Sequence, residues 1–379
     1  MDARERLTAT LRGEEVDRPA VCFYEIDGIN QDESDPDPFN IYSHPSWKPL
    51  LDLARERTEC TARRGVKFLD CPPDPLSNLT EVETWIDEKG SRFTRKTVHA
   101  HGRDLVERTR RDPDVNTVWT LEHPLKDEDD FLAWLELPQA EFGGRPDVEP
   151  ILAVERRLGD GGLVMIDRAD PLCEVAALFS MEEYTVIALT RPDLMHRALE
   201  KVQSLRLQQT AAISEALPGR LWRVVGPEYA APPHLPPHLF AEYVTRYDTP
   251  MVEAIQKHGG FARIHSHGKL HEVLDHIAAT GCSGLDPVEP PHQGDVSLAY
   301  VREKYGEQMV LWGNIEATDI ENLPPEQFRE KVRAALDEGT RGKGRGFVLM
   351  PSACPYGREL PDRALRNYES MVELVKALS

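Results

Sequence analysis

The side chains able to do chemistry in this sequence follow short β-branched runs. Glu25 and Asp27 come after Ala20 to Tyr24, and Asp70 and Cys71 close the run from Val66 to Asp70. Asp167 and Arg168 close the run from Leu163, and Glu228 follows Leu221 to Val225. His265 and His267 come at the end of Ala262 to His265, Glu289 after Gly284 to Asp286, Asn314 and Glu316 after Met309 to Trp312, and Cys354 after Phe347 to Met350. Carboxylates, imidazoles and a thiol brought to one mouth can move protons or hold a metal ion. The sharpest local signal is His265-Ser266-His267-Gly268, since residues two apart in an extended segment point the same way and can grip one ion. Cys354, in MPSACPYG, would add a thiolate, and nitrogen with sulfur donors favours zinc. Three protein ligands leave a position open for water or substrate, as in a catalytic zinc site, and Glu228 in GPEY is a candidate fourth, exchangeable ligand. The plain alternative is two polar rim histidines and an unrelated loop cysteine.

The elements that must position these groups alternate. The eight short runs are separated by helical stretches such as PPEQFREKVRAALDEG, which opens with proline and closes with glycine. That alternation predicts a parallel sheet, and eight units fit an α/β fold of the (β/α)8 TIM-barrel type, with active-site residues at the C-terminal strand ends. No run is followed by GxGxxG, which argues against a dinucleotide-binding open sheet. The chain is expected to be one domain over 1–379. From Glu81 to Leu121 polar and apolar residues alternate around turn signals, which predicts an antiparallel hairpin inserted over 81–121, after the second strand. Such an excursion suits a lid or a partner surface, or is surface ornament.

Composition narrows the partners. Among 379 residues, 45 basic side chains face 65 acidic ones, a formal charge of −20, with no basic stripe to overcome it. Nucleic acid is a poor partner for such a surface. No stretch approaches a membrane span, and the N-terminus MDARERLTATLRGEE lacks an apolar signal core. The protein is expected to be soluble and cytoplasmic. The six cysteines are scattered without the spacing of a disulfide scaffold, so free thiols or metal ligands are expected. His99 and His101 alternate on the inserted segment, where an exposed face of the ribbon is the simpler reading.

Three segments carry a family resemblance. They are RERLTATLRGEEVDRPAV, the long stretch from GPEYAAPPHLPP through HSHGKLHEVLDHIAATGCSGLDPVEPP, and the tail LWGNIEA followed by GFVLMPSACPYG. Together they resemble the uroporphyrinogen decarboxylase superfamily, which is built on a (β/α)8 barrel. True decarboxylases of that superfamily carry an N-terminal RQAGR-type segment whose arginines bind substrate carboxylates; the first run here ends FYEIDG instead. The chain looks more like the branch of methanol, methylamine and chloromethane methyltransferases. That branch binds zinc through a His-x-Cys pair after strand five and a cysteine after strand eight, which implies His265, His267 and Cys354 as ligands here. His267 stands where the family has cysteine, and an imidazole in place of a thiolate leaves a more positive, more Lewis-acidic metal.

The expected function is therefore a zinc-dependent methyltransferase. It would move a methyl group between a small methylated substrate, or a corrinoid carried on a partner protein, and a thiol, alcohol or folate acceptor. Glu228, Asp167 or Glu25 would relay the proton. Arg168 would anchor a substrate carboxylate, with Asp27, Tyr229, Glu289 and Asn314 lining the substrate pocket. A homodimer is the candidate assembly. The alternative is a metal-independent decarboxylase of an acidic substrate, using an acid such as Asp70.

Overall fold

The computed structural model describes residues 1–378. Eight strands form one parallel sheet: β1 (Ala20–Val21), β2 (Cys60–Arg64), β3 (Gly162–Ala169), β4 (Leu221–Val225), β5 (Phe261–His265), β6 (Gly284–Asp286), β7 (Val310–Ile315) and β8 (Phe347–Pro351). Their order in the sheet is β1-β8-β7-β6-β5-β4-β3-β2, so the first two strands of the chain lie at its two ends. The sheet curls until these ends meet, and the expected closed barrel is corrected at this seam. No ladder joins β1 to β2. In its place Glu59 donates its backbone N–H to the carbonyl of Val21 (2.9 Å), while its carboxylate accepts the N–H of Val21 (2.7 Å). That carboxylate is 2% exposed and is held by Arg6 and Arg18, each at 2.7 Å.

Strands β3 to β8 lie within a few residues of the runs that predict them. The second does not. Val66–Asp70 contributes only Phe68–Leu69, which pairs antiparallel with Arg145–Pro146 outside the main sheet, and β2 is CTARR. Its two adjacent arginines disguise a strand whose Arg63 is neutralised by Glu25, at 2.6 Å. β1 is shorter than its run because the backbone turns left-handed at Tyr24 (φ 46°).

The segment expected as a single hairpin over 81–121 is corrected to a four-stranded antiparallel meander: Thr80–Ile86, Arg92–Ala100, Arg103–Arg111 and Val118–Glu122. Trp85 stacks on Phe93 across one pair of its strands, with centroids 5.4 Å apart. Arg103 ties the sheet to the following helix, Glu128–Leu135, through Asp130 at 2.6 Å and Asp127 at 3.0 Å.

Two apolar layers hold the fold. The larger lies between the sheet and its helices. The smaller fills the interior of the curl, where Met165, Leu221, Val310, Trp312, Val348 and Met350 meet Leu7 and Leu11 of the N-terminal helix, Ala3–Arg12. That helix opens with a capping box between Asp2 and Glu5 and stops at Gly13, whose φ of 72° suits glycine. No helix among the described residues is long and apolar enough to cross a membrane.

Candidate active site

Alternation along each strand sends every second side chain to the interior, and at the C-terminal ends these side chains are charged. On β5, Arg263 and His265 share this face; on β4 it is Arg223, and on β3 Asp167, which lies beside Arg223 in register. His265 is likewise the register neighbour of Asp286 at the end of β6.

The contacts form a circuit. Asp286, 0% exposed, accepts from Nδ1 of His265 (2.8 Å) and pairs with the Nε of Arg263 (2.8 Å). Arg263 lies over the ring of Trp312, 4.5 Å from its centroid. Nε2 of His265 is 3.2 Å from the Tyr24 hydroxyl, which also accepts from Arg223 at 2.8 Å. Arg223 grips Asp167 through two contacts (2.7 and 3.2 Å) and reaches Glu25 at 3.3 Å, while Arg63 completes the ring to Glu25. Burial alone would raise the Asp286 carboxyl, yet Arg263 and His265 outweigh it and hold it at about 2. Burial pushes the Tyr24 hydroxyl up, so it remains a proton donor at neutral pH.

A second carboxylate backs the second imidazole. Glu289 accepts from Nδ1 of His267 (2.9 Å) and from the backbone N–H of Gly268 (3.1 Å). Burial lowers His267, but Glu289 overrides that and leaves it above the usual imidazole value. The two rings stand nearly perpendicular, centroids 4.8 Å apart. An imidazole fixed at Nδ1 by a carboxylate and offering Nε2 is the arrangement seen in metal-binding histidines. The third donor does not join them. Cys354 lies 4.0 Å from Glu25, and burial, with Glu25 adding, pushes its thiol up to about 12. Among the described residues no three His, Cys, Asp or Glu side chains are gathered closely enough to hold a metal ion. The residues present therefore match a zinc site in their paired, carboxylate-backed imidazoles and fail to match it as a three-donor centre.

The other residues singled out in the sequence divide. Glu25, Asp167 and Glu289 belong to the charged mouth. Glu228, on the short helical turn Pro227–Ala230, keeps its Oε2 buried without a hydrogen-bond partner and is not part of the circuit. Asn314, at φ 82°, likewise buries an unpartnered Oδ1. Arg168 is corrected as a substrate anchor: one residue beyond Asp167, it turns to the helix layer and bonds Gln209. Burial, with Arg206 adding, lowers its guanidinium to about 10. Asp27 is corrected too, since it caps its own loop by accepting the N–H groups of Ile29 and Asn30, both at 2.7 Å. Tyr229 packs its ring against Tyr184 (centroids 6.0 Å apart) and receives that residue's hydroxyl on its carbonyl. Asp70, the acid named for the decarboxylase alternative, is exposed, lies 3.4 Å from Arg145 and has no contact with the residues of the circuit.

Tyr24, Arg63, Arg223, Arg263 and Asp286 were not singled out from the sequence. The available signal was a lone arginine in the middle of an apolar strand, in LWRVV and in FARIH: a charge there must face a partner in the interior.

Glu316, 6% exposed at the end of β7, is raised to about 7 by burial and by nearby Glu289. A carboxyl whose folded value is raised favours folding below its unfolded value and loses that contribution as pH climbs through about 7. Glu316→Gln is therefore expected to gain about 1–2 kcal/mol over the parent at pH 8.5, with the gain vanishing below about pH 4.5. Urea unfolding at the two pH values measures it; a gain confined to acid pH contradicts the assignment.

Fold and mouth together define a parallel α/β barrel-like protein with its ionisable groups at the C-terminal strand ends. The chain belongs to the uroporphyrinogen decarboxylase (URO-D) family, whose model matches residues 175–378. A methyltransferase from Methanosarcina mazei has the same fold at a TM-score of 0.62 and 18% identity, covering 100% of this chain and 99% of that one. A D-psicose 3-epimerase from Clostridium cellulolyticum H10 reaches a TM-score of only 0.35 at 10% identity, over 60% of this chain and 83% of that one. No curated protein matches the sequence.

Proposed function

We propose that the chain is a methyltransferase whose acceptor or donor heteroatom is handled by His265 and His267. The observation that carries this reading is the pair of imidazoles, each fixed at Nδ1 by a buried carboxylate, at the mouth of a URO-D fold. The full-length likeness to a protein named as a methyltransferase supports it, although fold alone does not establish activity. Methyl transfer to a thiol or alcohol requires that the acceptor lose its proton as the new bond to carbon forms. The electron pair of the old bond stays with the donor atom. His267 takes that proton at Nε2, with Glu289 behind it stabilising the resulting cation, while His265, whose Nε2 is engaged by Tyr24, takes it by way of the Tyr24 hydroxyl, with Asp286 behind it. In the reverse sense the imidazolium returns a proton to a departing alkoxide. Arg223 and Arg63 fix Glu25 and Asp167 at the rim and keep the pocket's charge balanced.

Zinc held by His265, His267 and Cys354, and a corrinoid on a partner protein, form part of the proposal. The two backed imidazoles support the metal, the separate position of Cys354 counts against it, and no step above depends on it. The test is metal quantification on untagged protein together with methyl-transfer assays from methylcobalamin to a thiol. About one zinc per chain, lost in Cys354→Ala, supports the metal assignment. Transfer abolished in His265→Ala and His267→Ala supports the reading with or without zinc, whereas transfer unaffected by both substitutions overturns it.

A further inference from the structure

We propose that the floor of the curled sheet, opposite the charged mouth, is a second binding site, and that it takes a medium-chain monocarboxylate. The interior of such a sheet is ordinarily filled by layers of side chains. Here the lowest layer is incomplete. Leu7 and Leu11 of the N-terminal helix plug it and are 0% and 2% exposed, as are Val348 (0%) and Leu221 (2%). Leu163 at the start of β3 and Phe261 at the start of β5 belong to the same apolar cluster but remain only partly covered. Between them and the helix lies a cavity of about 320 Å³. That is the size of a small-molecule site, about 300–1,000 Å³.

The rim supplies the polarity. Arg4, Thr8, Leu11 and Arg12 recur at helical spacing, so one face of the helix borders the cavity. The third arginine there, Arg220, is neutralised by both oxygens of Glu155, each at 2.9 Å. Arg4 and Arg12 meet no carboxylate among the described residues. Arg4 reaches only the backbone carbonyl of Glu155 (3.4 Å), and its Nε is buried without a partner. Two uncompensated guanidiniums in a chain carrying 20 excess negative charges mark a place that attracts an anion. Arginine takes a carboxylate through paired hydrogen bonds, and the apolar tail would cover Leu163 and Phe261. The site stands on its own and does not depend on the chemistry assigned to the mouth.

Calorimetric titration of the full chain with octanoate, octanol, acetate and inorganic phosphate tests this. Octanoate is expected to bind about tenfold or more tighter than any of the other three, because only it satisfies both head and tail. In Arg4→Gln/Arg12→Gln its affinity should fall about tenfold or more. Thr8→Phe, which fills the cavity while keeping both guanidiniums in the chain, should abolish binding. Circular dichroism checks that both variants fold. Absence of heat with millimolar octanoate, octanol binding as well as octanoate, or affinity unchanged in either folded variant overturns the proposal.

Discussion

Asp286→Asn is expected to lower the folding free energy by about 3–5 kcal/mol and turnover by about 10–100-fold. The stability term follows from leaving Arg263, whose side chain is 1% exposed, as an unpaired buried cation. The activity term follows because His265 loses the carboxylate that fixes its tautomer and stabilises its charged form. The pH dependence has a definite sign. With a folded value of about 2, the Asp286 contribution is complete above the unfolded value of about 3.9 and is lost as pH falls through about 2. Parent and variant should therefore differ by a constant amount from about pH 5 upward, and the gap should narrow in acid by about 2–3 kcal/mol. Urea denaturation across that range measures the first effect and initial rates at neutral pH the second; a stability difference under about 1 kcal/mol would sink the account.

Glu59→Gln is the other large effect, and it acts through the fold. The carboxylate substitutes for a missing ladder between β1 and β2 while neutralising Arg6 and Arg18, whose side chains are 5% and 8% exposed. Arg6 keeps Asp17 as a partner at 2.7 Å; Arg18 has no second carboxylate contact among the described residues. Loss of the buried charge should cost about 3 kcal/mol. Hydrogen exchange gives the decisive pattern. The Val21 amide, which donates to Glu59, should lose protection in the variant, while amides in the β4–β5 ladder should change only as far as global stability dictates. Uniform loss of protection, with no excess at Val21, would count against a local closure of the seam.

The parts of the fold most legible in the sequence were the strands buried on both faces. LWRVV, the VLW that opens β7 and FVLM announce themselves because a parallel strand covered on both faces is predominantly apolar. β2 escaped because Arg63 is offset by Glu25 and Asp167 on different parts of the chain, which local pattern does not reveal. The same limit governed the site. His265, His267, Asp167 and Glu25 were legible from their place at strand ends, whereas Arg223 and Arg263, level with Asp167 in register, sit mid-strand between apolar residues, where a sequence reading expects core. Arg168 shows the cost of a one-residue difference in facing, since side chains alternate along β3 and the neighbour of Asp167 points to the helices; Asp27 lies beyond β1, where it caps its own loop. The separation of Cys354 from the histidines depends on how the loop after β8 is draped, and no spacing rule encodes that.

The unbroken chain of contacts from Asp286 through His265, Tyr24 and Arg223 to Glu25, Asp167 and Arg63 also bears on how such a protein can diversify. Each member answers to at least one other, so replacing any of them strands a neighbour, and paired changes will not add up from single ones. New substrate preferences are easier to reach through the loops above this ring than by editing the ring itself.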